Sequence, residues 1–492
     1  MSCPKYKIHR NPNWVQCGKA IGEIGILKRM ASFHIENFGC RAARADGEAI
    51  SVRLTADGLA EQPLASADIV VVNTCSVTAE ADRDARAFVR RTMRLNPQAK
   101  VVVTGCYAQR APEEIAALSG VAAVVGNSHK GMIPEIVRGL ALVREPLISA
   151  SSLVDLNQSA QVWADESFAH SYIEDAQVLP GLQTRPNLKI QEGCGNRCTF
   201  CIIPTTRGAS RSLSADKVLA QVRGFVAAGG QELVISGINL GRWGRDFSDK
   251  ATLAGLLRQI LLETDLPRLR LSSIEPMDWT AELIGLLREH RGGRIARHAH
   301  LPLQSGSDGV LRRMHRRYRP WHYAQKIAAL VDAVGAELCV GADVMVGFPG
   351  ETDAEFRETY DFIDNLPFAY LHLFPFSARP GTPGWELHRQ FPVGGEAVQE
   401  RMALLRGLIA RKTQAFRAGF VGRSLPAITL HTPAKIAALG CTSALTDNFL
   451  PVEIAAILPA NRLVAVHLSE VSSTGVALGE MNLHASNAAV AS

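Results

Sequence analysis

The chain has 492 residues, of which 47% are hydrophobic, and its 53 basic against 47 acidic side chains give a formal net charge of +6. This length allows about three domains of roughly 150 residues each, with substantial cores. Its longest apolar runs are far shorter than the roughly 18 residues of a membrane span, and Glu23 interrupts the apolar stretch near the N-terminus. We therefore expect a cytoplasmic protein without a membrane partner. The mild net charge is not by itself enough to predict a nucleic-acid partner.

The first 29 residues are polar and irregular, and we interpret residues 1–29 as an extension or as the product of a start codon assigned too early. Cys3 and Cys17 lie there in no strand or helix pattern. No ligand role is expected for either of them.

Residues 30–145 alternate short β-rich runs with helical patterns, which is typical of a parallel sheet covered by helices. The predicted strands are Phe33–Phe38, Asp68–Val72, Lys100–Val103 and Val121–Val125. A cysteine follows each of the first three strands: Cys40, Cys75 and Cys106. Neighbouring strands lie about 4.8 Å apart, so loops from one sheet edge can bring these thiols to one metal centre. Simple burial near strand ends is the alternative.

A helical pattern in the same region carries Arg83, Arg86, Arg90 and Arg94 at steps of three and four residues. These side chains share one helix face. A phosphate-binding face and a solvated face both remain open for it.

A polar segment, residues 146–185, is predicted as a linker, and a second βα series fills residues 186–420. Its predicted strands are Leu188–Gln191, Glu232–Ser236, Arg268–Ser273, His298–Leu303, Leu338–Val346 and Ala369–Phe374. Six βα units predict a partial or open (β/α) barrel, whose chemistry lies at the carboxyl ends of its strands. Residues 423–492 have short β-like runs between turn residues and predict a small β-barrel or sandwich. The expected fold class is therefore α/β with a small C-terminal β domain.

A CxxxCxxC motif, formed by Cys194, Cys198 and Cys201, follows the first strand of the second series. A structural zinc site needs a fourth ligand, which His298 or His300 could supply. Thiolates also suit iron–sulfur clusters, and a cubane bound by three cysteines keeps one iron open for a substrate or cofactor. The upstream set also has three cysteines where a cubane normally takes four. We therefore expect two clusters, each with one open iron.

The motif, with Phe200 before its last cysteine, resembles the radical S-adenosylmethionine (SAM) superfamily. In that superfamily the open iron binds the amino and carboxylate groups of SAM, and an electron from the cluster cleaves SAM to a deoxyadenosyl radical. More narrowly, residues 31–420 resemble methylthiotransferases. The matching motifs are GC at Gly39, NTC at Asn73, TGCYAQ at Thr104, GCGNRCTFCIIPTTRG at Gly193, SGINLGRWG at Ser236, LPLQSGSDGVLRRMHRRY at Leu301, ADVMVGFPGET at Ala342 and FPFSARPGTP at Phe374.

Two further motifs, RLSSIEP from Arg270 and RGASRS from Arg207, most resemble the branch acting on threonylcarbamoyladenosine at position 37 of tRNA. Other branches modify isopentenyladenosine in tRNA or an aspartate of a ribosomal protein, and both remain alternatives. A non-catalytic iron–sulfur protein that binds RNA is the alternative from another class.

The resemblance implies a two-stage reaction with two 4Fe-4S clusters and SAM. One SAM methylates a sulfur held on the open iron of the upstream cluster, and a second yields the radical that abstracts hydrogen from carbon 2 of the adenine. A radical is needed because an unactivated aromatic C–H has no acidic proton for a base to remove. The expected partners are the tRNA anticodon loop and an electron donor, and the expected state is a monomer.

Other residues receive roles from their position near strand ends or in matching motifs. Expected contacts to cofactor or substrate are Asn239, Ser273, Glu275, Gln304 and Asp343, with Gly347, Phe348 and Pro349 shaping the SAM pocket. Expected contacts to RNA phosphates are Arg207 and, within the arginine-rich run of residues 291–320, Arg312, Arg313, Arg316 and Arg317. Cys339 and Cys441 are expected to be structural.

The chain departs from the family pattern in two places. Ala43 stands where the family usually has asparagine, which removes an expected polar contact near the upstream cluster. The tail resembles the small RNA-binding barrel of family members through TDNF at Thr446, but it has three basic residues against four acidic ones. We therefore expect the tail to contribute shape or positioning, and the arginine-rich run to contact most of the RNA phosphates.

Overall fold

A computed structural model describes residues 31–142, 160–168, 178, 180, 184–472 and 477–481. The expectations for residues 1–29, including Cys3 and Cys17, lie outside these residues. Within the described ranges, none of the helices combines the length and apolarity needed to cross a membrane.

The N-terminal domain is a six-stranded sheet in which all neighbouring strands run parallel, in the order β2-β1-β3-β4-β5-β6. The strands are β1 (Ser32–Asn37), β2 (Ala60–Glu61), β3 (Ile69–Thr74), β4 (Lys100–Gly105), β5 (Val121–Gly126) and β6 (Gln161–Trp163). The helices are α1 (Arg41–Ala56), α2 (Ala79–Leu95), α3 (Cys106–Arg110), α4 (Pro112–Ala116) and α5 (Ile133–Leu142). Every residue of β3 is buried because apolar clusters cover both faces of the sheet.

The four strands predicted in this domain are confirmed, and α2 carries the arginine-bearing helical pattern. The segment predicted as a linker differs, because residues 161–163 within it form β6 and pair with β5. Three residues of mixed polarity give no strand pattern of their own, so only the pairing reveals this strand.

The central domain contains six strands that run parallel around an open barrel, in the order β7-β9-β10-β11-β12-β13. Isolated bridges join β10 to β11 through Ser273 and His300, and β8 adds an antiparallel edge at β7. The strands are β7 (Asn187–Glu192), β8 (Arg211–Ser212), β9 (Glu232–Gly237), β10 (Arg268–Leu271), β11 (His298–His300), β12 (Cys339–Val346) and β13 (Phe368–Pro375).

Helices cover the outside of this barrel and enclose its apolar core. They are α6 (Ile203–Arg207), α7 (Ala215–Ala227), α8 (Leu253–Glu263), α9 (Ala281–Glu289), α10 (Asp308–Arg313), α11 (Pro320–Val334), α12 (Asp353–Asn365), α13 (Pro383–Gln390) and α14 (Gly395–Ala418). The predicted partial barrel of six βα units is therefore confirmed.

The C-terminal domain is a closed barrel in the order β14-β15-β16-β18-β17. Its elements are β14 (Ser424–Thr429), α15 (Ala434–Ala437), β15 (Thr442–Thr446), β16 (Pro451–Ile454), β17 (Leu463–Val471) and β18 (Ala477–Met481). The TDNF turn after β15 docks it on the central domain: Asp447 forms a two-point ion pair with Arg297, and Phe449 stacks on His298 with ring centroids 4.5 Å apart. This turn therefore has a docking role inside the molecule.

The N-terminal sheet also docks on the central domain through a buried carboxylate. Asp82 of α2 accepts hydrogen bonds from Arg110 at 2.9 Å and from Arg379, which follows β13, at 2.7 Å. The adjacent backbone N–H of Ala79 donates to Ser377 Oγ at 3.0 Å. These contacts hold the loops of both domains against each other.

Candidate active site

Loops from both α/β domains enclose one cavity of about 650 Å³. Cys40 from the N-terminal domain and Cys194, Cys198 and Cys201 from the central domain all line it. The CxxxCxxC set therefore shares this cavity with Cys40 of the upstream set, whereas Cys75 and Cys106 are buried and do not line it.

The upstream cysteines converge because their loops leave neighbouring parallel strands on the same edge. Cys40 caps the N-terminus of α1, Cys75 directly follows β3, and Cys106 opens α3 after β4. Burial and the adjacent thiols of Cys40 and Cys106 raise the pKa of Cys75 to about 12. The structure thus brings together the three thiols that the strand pattern predicted.

Gly39 allows the close approach of two of these loops. It has a φ of +102°, and a Cβ placed on it would lie 2.7 Å from the Cys75 sulfur. Only glycine tolerates both this backbone conformation and this contact.

The CxxxCxxC loop follows β7 and is surrounded by hydrogen-bond donors. Arg316 Nη1 donates to Cys198 Sγ at 3.2 Å, and Asn239 Nδ2 donates to Cys194 Sγ at 3.5 Å. Burial raises the pKa of Cys198, and burial with the neighbouring thiols raises the pKa of Cys201 to about 12. Donors that point at sulfur favour the thiolate form, which is the form that binds iron.

Unsatisfied polar atoms near the cysteines fit a polar cofactor. Among the described residues, the buried atoms Asn239 Oδ1, Gln304 Oε1 and Ser272 Oγ have no hydrogen-bond partner. Gln304 also has a φ of +62°, which is uncommon for a residue with a side chain. Buried polar atoms are normally satisfied, so these atoms fit a bound group that carries amino, carboxylate and hydroxyl functions.

Most predicted cofactor contacts lie at this cavity. Ser273, Glu275, Gln304 and Asp343 line it directly. Asn239 contacts it through Cys194.

The segment of Gly347, Phe348 and Pro349, expected to shape the SAM pocket, is buried and does not line the cavity. Phe348 is fully buried and belongs to an apolar cluster against which Phe200 packs. This segment therefore supports the cysteine loop from behind, through packing.

Sequence reasoning missed two histidines as cavity residues. His300 and His372 line the cavity, and their ligand atoms lie within 4.8 Å of each other and of Asp343. The sequence suggests His300 only as a possible zinc ligand, together with His298. The His298 ring instead contacts the Tyr370 hydroxyl at 2.7 Å and stacks on Phe449.

The prediction that Arg207 and Arg316 contact RNA phosphates is wrong. Their side chains are 1% and 4% exposed, and each is paired with a carboxylate, Glu192 and Glu275 respectively. Burial in the domain interior removes both from the RNA-accessible surface.

Other arginines of the run of residues 291–320 also face inward or are paired. Arg313 forms two hydrogen bonds with Glu355 at 2.8 and 2.7 Å, and Arg294 donates to the backbone carbonyls that end α8. Arg291, Arg312 and Arg317 are exposed, and Arg312 is paired with Asp308 on its own helix. The run is therefore largely an internal scaffold, and of its predicted phosphate contacts Arg312 and Arg317 remain as candidates.

The polar contact that Ala43 removes is replaced from other elements. Asn127 Nδ2 and Arg207 Nε donate to Cys106 Sγ at 3.5 and 3.2 Å. The backbone carbonyl of Ala43 itself accepts a hydrogen bond from Asn73. The upstream cysteines thus keep polar neighbours despite the departure.

Comparisons with known proteins agree with this geometry. Residues 188–363 match the radical SAM superfamily, and residues 32–126 match a family described as uncharacterized protein family UPF0004. The radical SAM methyltransferase TsrM from Kitasatospora setae superposes with a TM-score of 0.50 at 15% identity, covering 74% of this chain and 78% of that one, which shows a shared fold. The chain is a radical SAM protein.

Curated relatives define the family more narrowly. The threonylcarbamoyladenosine tRNA methylthiotransferase MtaB of Bacillus subtilis is 38% identical over 379 residues, which cover 76% of this chain and 80% of that protein. Its namesake from Aquifex aeolicus is 32% identical, covering 88% and 98%, and a tRNA-2-methylthio-N(6)-dimethylallyladenosine synthase from Erythrobacter litoralis is 32% identical, covering 82% and 87%. This chain belongs to the methylthiotransferase family of radical SAM enzymes.

Proposed function

We propose that this enzyme adds a methylthio group to carbon 2 of N(6)-threonylcarbamoyladenosine at position 37 of tRNA. The observation that carries the proposal is one cavity lined by Cys194, Cys198 and Cys201 and by Cys40 of the upstream set, whose partners Cys75 and Cys106 lie at neighbouring strand ends. Each site lacks one ligand of a four-cysteine cluster, and a methylthio transfer needs one open iron for SAM and another for sulfur.

The cofactors are SAM and 4Fe-4S clusters, as in the radical SAM family. Cys194, Cys198 and Cys201 would hold the cluster that binds SAM, and the upstream cysteines would hold the second. When bound, these groups supply the radical and the methylated sulfur, chemistry that side chains lack. The chain itself directs N–H donors at the cysteine sulfurs and places the reacting atoms at one cavity.

The cavity offers contacts for the flipped adenine base. His300 and His372 present imidazole rings whose centroids lie 5.7 Å apart. Bases that enter an enzyme pocket are commonly held by stacking on such rings and by hydrogen bonds to their edges. Ser273, Gln304 and Asp343 would supply the hydrogen bonds.

The exposed arginines would supply the contacts to the RNA backbone. The Arg312 side chain is 62% exposed, and Arg317 is exposed beside it. On α2, Arg83, Arg90 and Arg94 are also exposed. The C-terminal barrel has three basic residues against four acidic ones, so we keep for it a positioning role.

Salt dependence tests this division. Replacing both Arg312 and Arg317 with alanine should weaken tRNA binding and flatten its dependence on salt, because each lost phosphate contact reduces the number of released counterions. The matched control replaces Arg223 and Arg258, two exposed arginines that pair with Glu263 and Glu289. This variant should leave the salt dependence of tRNA binding unchanged. If the salt dependence is unchanged in the Arg312 and Arg317 variant, other residues contact the phosphates.

Methylthiolation of dimethylallyladenosine is the nearest alternative substrate, and one similar relative carries that name. Modification of a ribosomal-protein aspartate remains the protein-directed alternative. The reaction needs a low-potential electron donor, and we propose a monomer that acts in the cytoplasm, where its tRNA substrate is found.

A reconstituted reaction separates these substrates. The reduced, cluster-loaded enzyme is incubated without oxygen with SAM and tRNA that carries either threonylcarbamoyladenosine or dimethylallyladenosine. We expect deoxyadenosine and a methylthio product with the first tRNA only. A product with the second tRNA alone would contradict the substrate, and a lack of deoxyadenosine with both would favour a non-catalytic RNA-binding protein.

A further inference from the structure

Five ionisable side chains lie buried where the N-terminal domain meets the central domain, and they form a charge cluster that the reaction does not use directly. Asp46 and Lys130 come from the N-terminal domain, and Lys189, Glu192 and Arg207 come from the central domain. All five are at most 5% exposed. The cluster therefore joins the two domains directly beneath the cysteine loops.

Arg207 is the member that reaches a cysteine. Its Nη1 donates to both oxygens of Glu192, at 2.8 and 3.0 Å, and to Asp46 at 3.2 Å. Its Nε donates to Cys106 Sγ at 3.2 Å. Carboxylates on one side thus fix the guanidinium so that another edge contacts the sulfur, a fork geometry that lysine cannot reproduce.

The charges of this cluster do not cancel. Three basic side chains, Lys130, Lys189 and Arg207, face two acidic ones, which leaves one formal positive charge. An unpaired buried charge is costly, and the sulfur of Cys106, which Arg207 contacts, is a candidate for its partner.

A second observation supports an anionic sulfur centre here. Among the described residues, Arg207 Nη2 is buried and has no hydrogen-bond partner. Buried guanidinium N–H groups are normally satisfied, and sulfur ligands of a cluster would satisfy this one.

We propose that Arg207 is a positioning residue for the upstream centre, one that holds Cys106 and raises the reduction potential of the cluster bound there. The proposal rests on the proposed function only for the assignment of a cluster to Cys40, Cys75 and Cys106. Reduction adds one electron from the donor to the cluster, with no bond made or broken. A fixed positive N–H donor at a cluster sulfur stabilises the more negative, reduced state, which raises the potential.

The other cysteine set has an equivalent contact that provides a matched comparison. Arg316 Nη1 donates to Cys198 Sγ at 3.2 Å, while its Nη2 donates to Glu275 at 2.5 Å. Each set therefore has one buried arginine that is held by a carboxylate and donates to one sulfur. Substitution of each arginine should move only its own centre.

The test compares Arg207→Met, Arg207→Lys and Arg316→Lys in the full-length enzyme loaded with iron and sulfide without oxygen. Iron content is measured first, and a redox titration followed by electron paramagnetic resonance then gives the potential of each centre. Signals are assigned with variants that lack either cysteine set.

We expect Arg207→Met to lower the potential of the upstream centre so that its reduced-to-oxidised ratio falls about tenfold at a fixed potential, a shift of about 59 mV for one electron. Arg207→Lys should cause a smaller shift at the same centre, because it keeps the charge and loses the fork. Arg316→Lys should shift only the centre of Cys198.

Unchanged potentials in both Arg207 variants, with iron retained, would overturn the proposal, and so would equal shifts of the two centres. If Arg207→Met loses iron, the reduction potential of the upstream centre in Arg207→Lys decides whether the proposal holds. The readout is independent of tRNA. A shifted potential in an enzyme that does not methylthiolate tRNA would refute the proposed function and support this inference.

Discussion

The docking of the C-terminal barrel gives a prediction whose size follows from the structure. Asp447 accepts two hydrogen bonds from Arg297, at 2.5 and 2.9 Å, and the two side chains are 3% and 8% exposed. Removing one partner of a buried ion pair typically costs about 3–5 kcal/mol. Arg297 also pairs with Glu337, so it is not left uncompensated, and we expect Asp447→Ala to cost about 3 kcal/mol, the lower end of that range.

The substitution should mainly destabilise the state in which the barrel is docked, because Arg297 belongs to the central domain and Asp447 to the barrel. At about 1.4 kcal/mol per factor of ten, the undocked population should rise by roughly 100-fold. Hydrogen exchange followed by mass spectrometry measures this in the peptide containing Gln231, whose backbone N–H donates across the interface to Asn461 Oδ1.

The matched control is Glu289→Ala, which removes an exposed pair with Arg258. Exposed pairs contribute little to stability because solvent screens them, so exchange at the interface should stay unchanged. Iron content should be unchanged in both variants, because neither residue contacts a cysteine loop. Equal hydrogen exchange at this interface in Asp447→Ala and in the native enzyme would refute the role of the TDNF turn in docking the barrel.

Two further predictions test the cysteines. Gly39→Ala should displace Cys75 and lower the iron content from about eight to about four atoms per chain. Gly58 also has a positive φ, but its Cβ position is open, so Gly58→Ala should keep all the iron. Equal iron contents in the two variants would contradict the close approach of Gly39 to Cys75. Burial raises the pKa of Cys339 to about 12, so almost none of this thiol is ionised at pH 8.5. Iodoacetamide should therefore label the partly exposed Cys441 and spare Cys339 in peptide mass maps. Because this pKa is raised on folding, its contribution to stability is full below pH 9 and is lost as the pH rises towards 12; labelling of Cys339 as fast as Cys441 would contradict its burial.

The sequence was sufficient for the βα architecture and for the convergence of the cysteines. Buried parallel strands are continuous apolar runs, so the runs at β3, β4 and β9 indicate both the strands and the edge at which their loops meet. Cys75 and Cys106 directly follow such runs, and their proximity follows from strand spacing alone.

The direction of the arginines could not be predicted in this way. Arg316 lies in an arginine-rich run that is typical of a surface, and its partner Glu275 lies on another strand end. Arg207 contacts Glu192 of its own domain and also Asp46, 161 residues upstream in the N-terminal domain. Only the three-dimensional arrangement shows that each of these arginine side chains contacts a carboxylate. The same limit applies to β6, whose strand character depends on its pairing with β5.

The central claim is that two incomplete cysteine sites act together on one modified base of tRNA. Its most direct test is nucleoside analysis of tRNA from a strain without the gene, complemented by the native enzyme or by a variant with Cys40, Cys75 and Cys106 replaced by alanine. We predict that the methylthio form of threonylcarbamoyladenosine disappears without the gene, returns with the native enzyme and stays absent with the variant. Full restoration by the variant, or no loss of the nucleoside without the gene, would contradict the account.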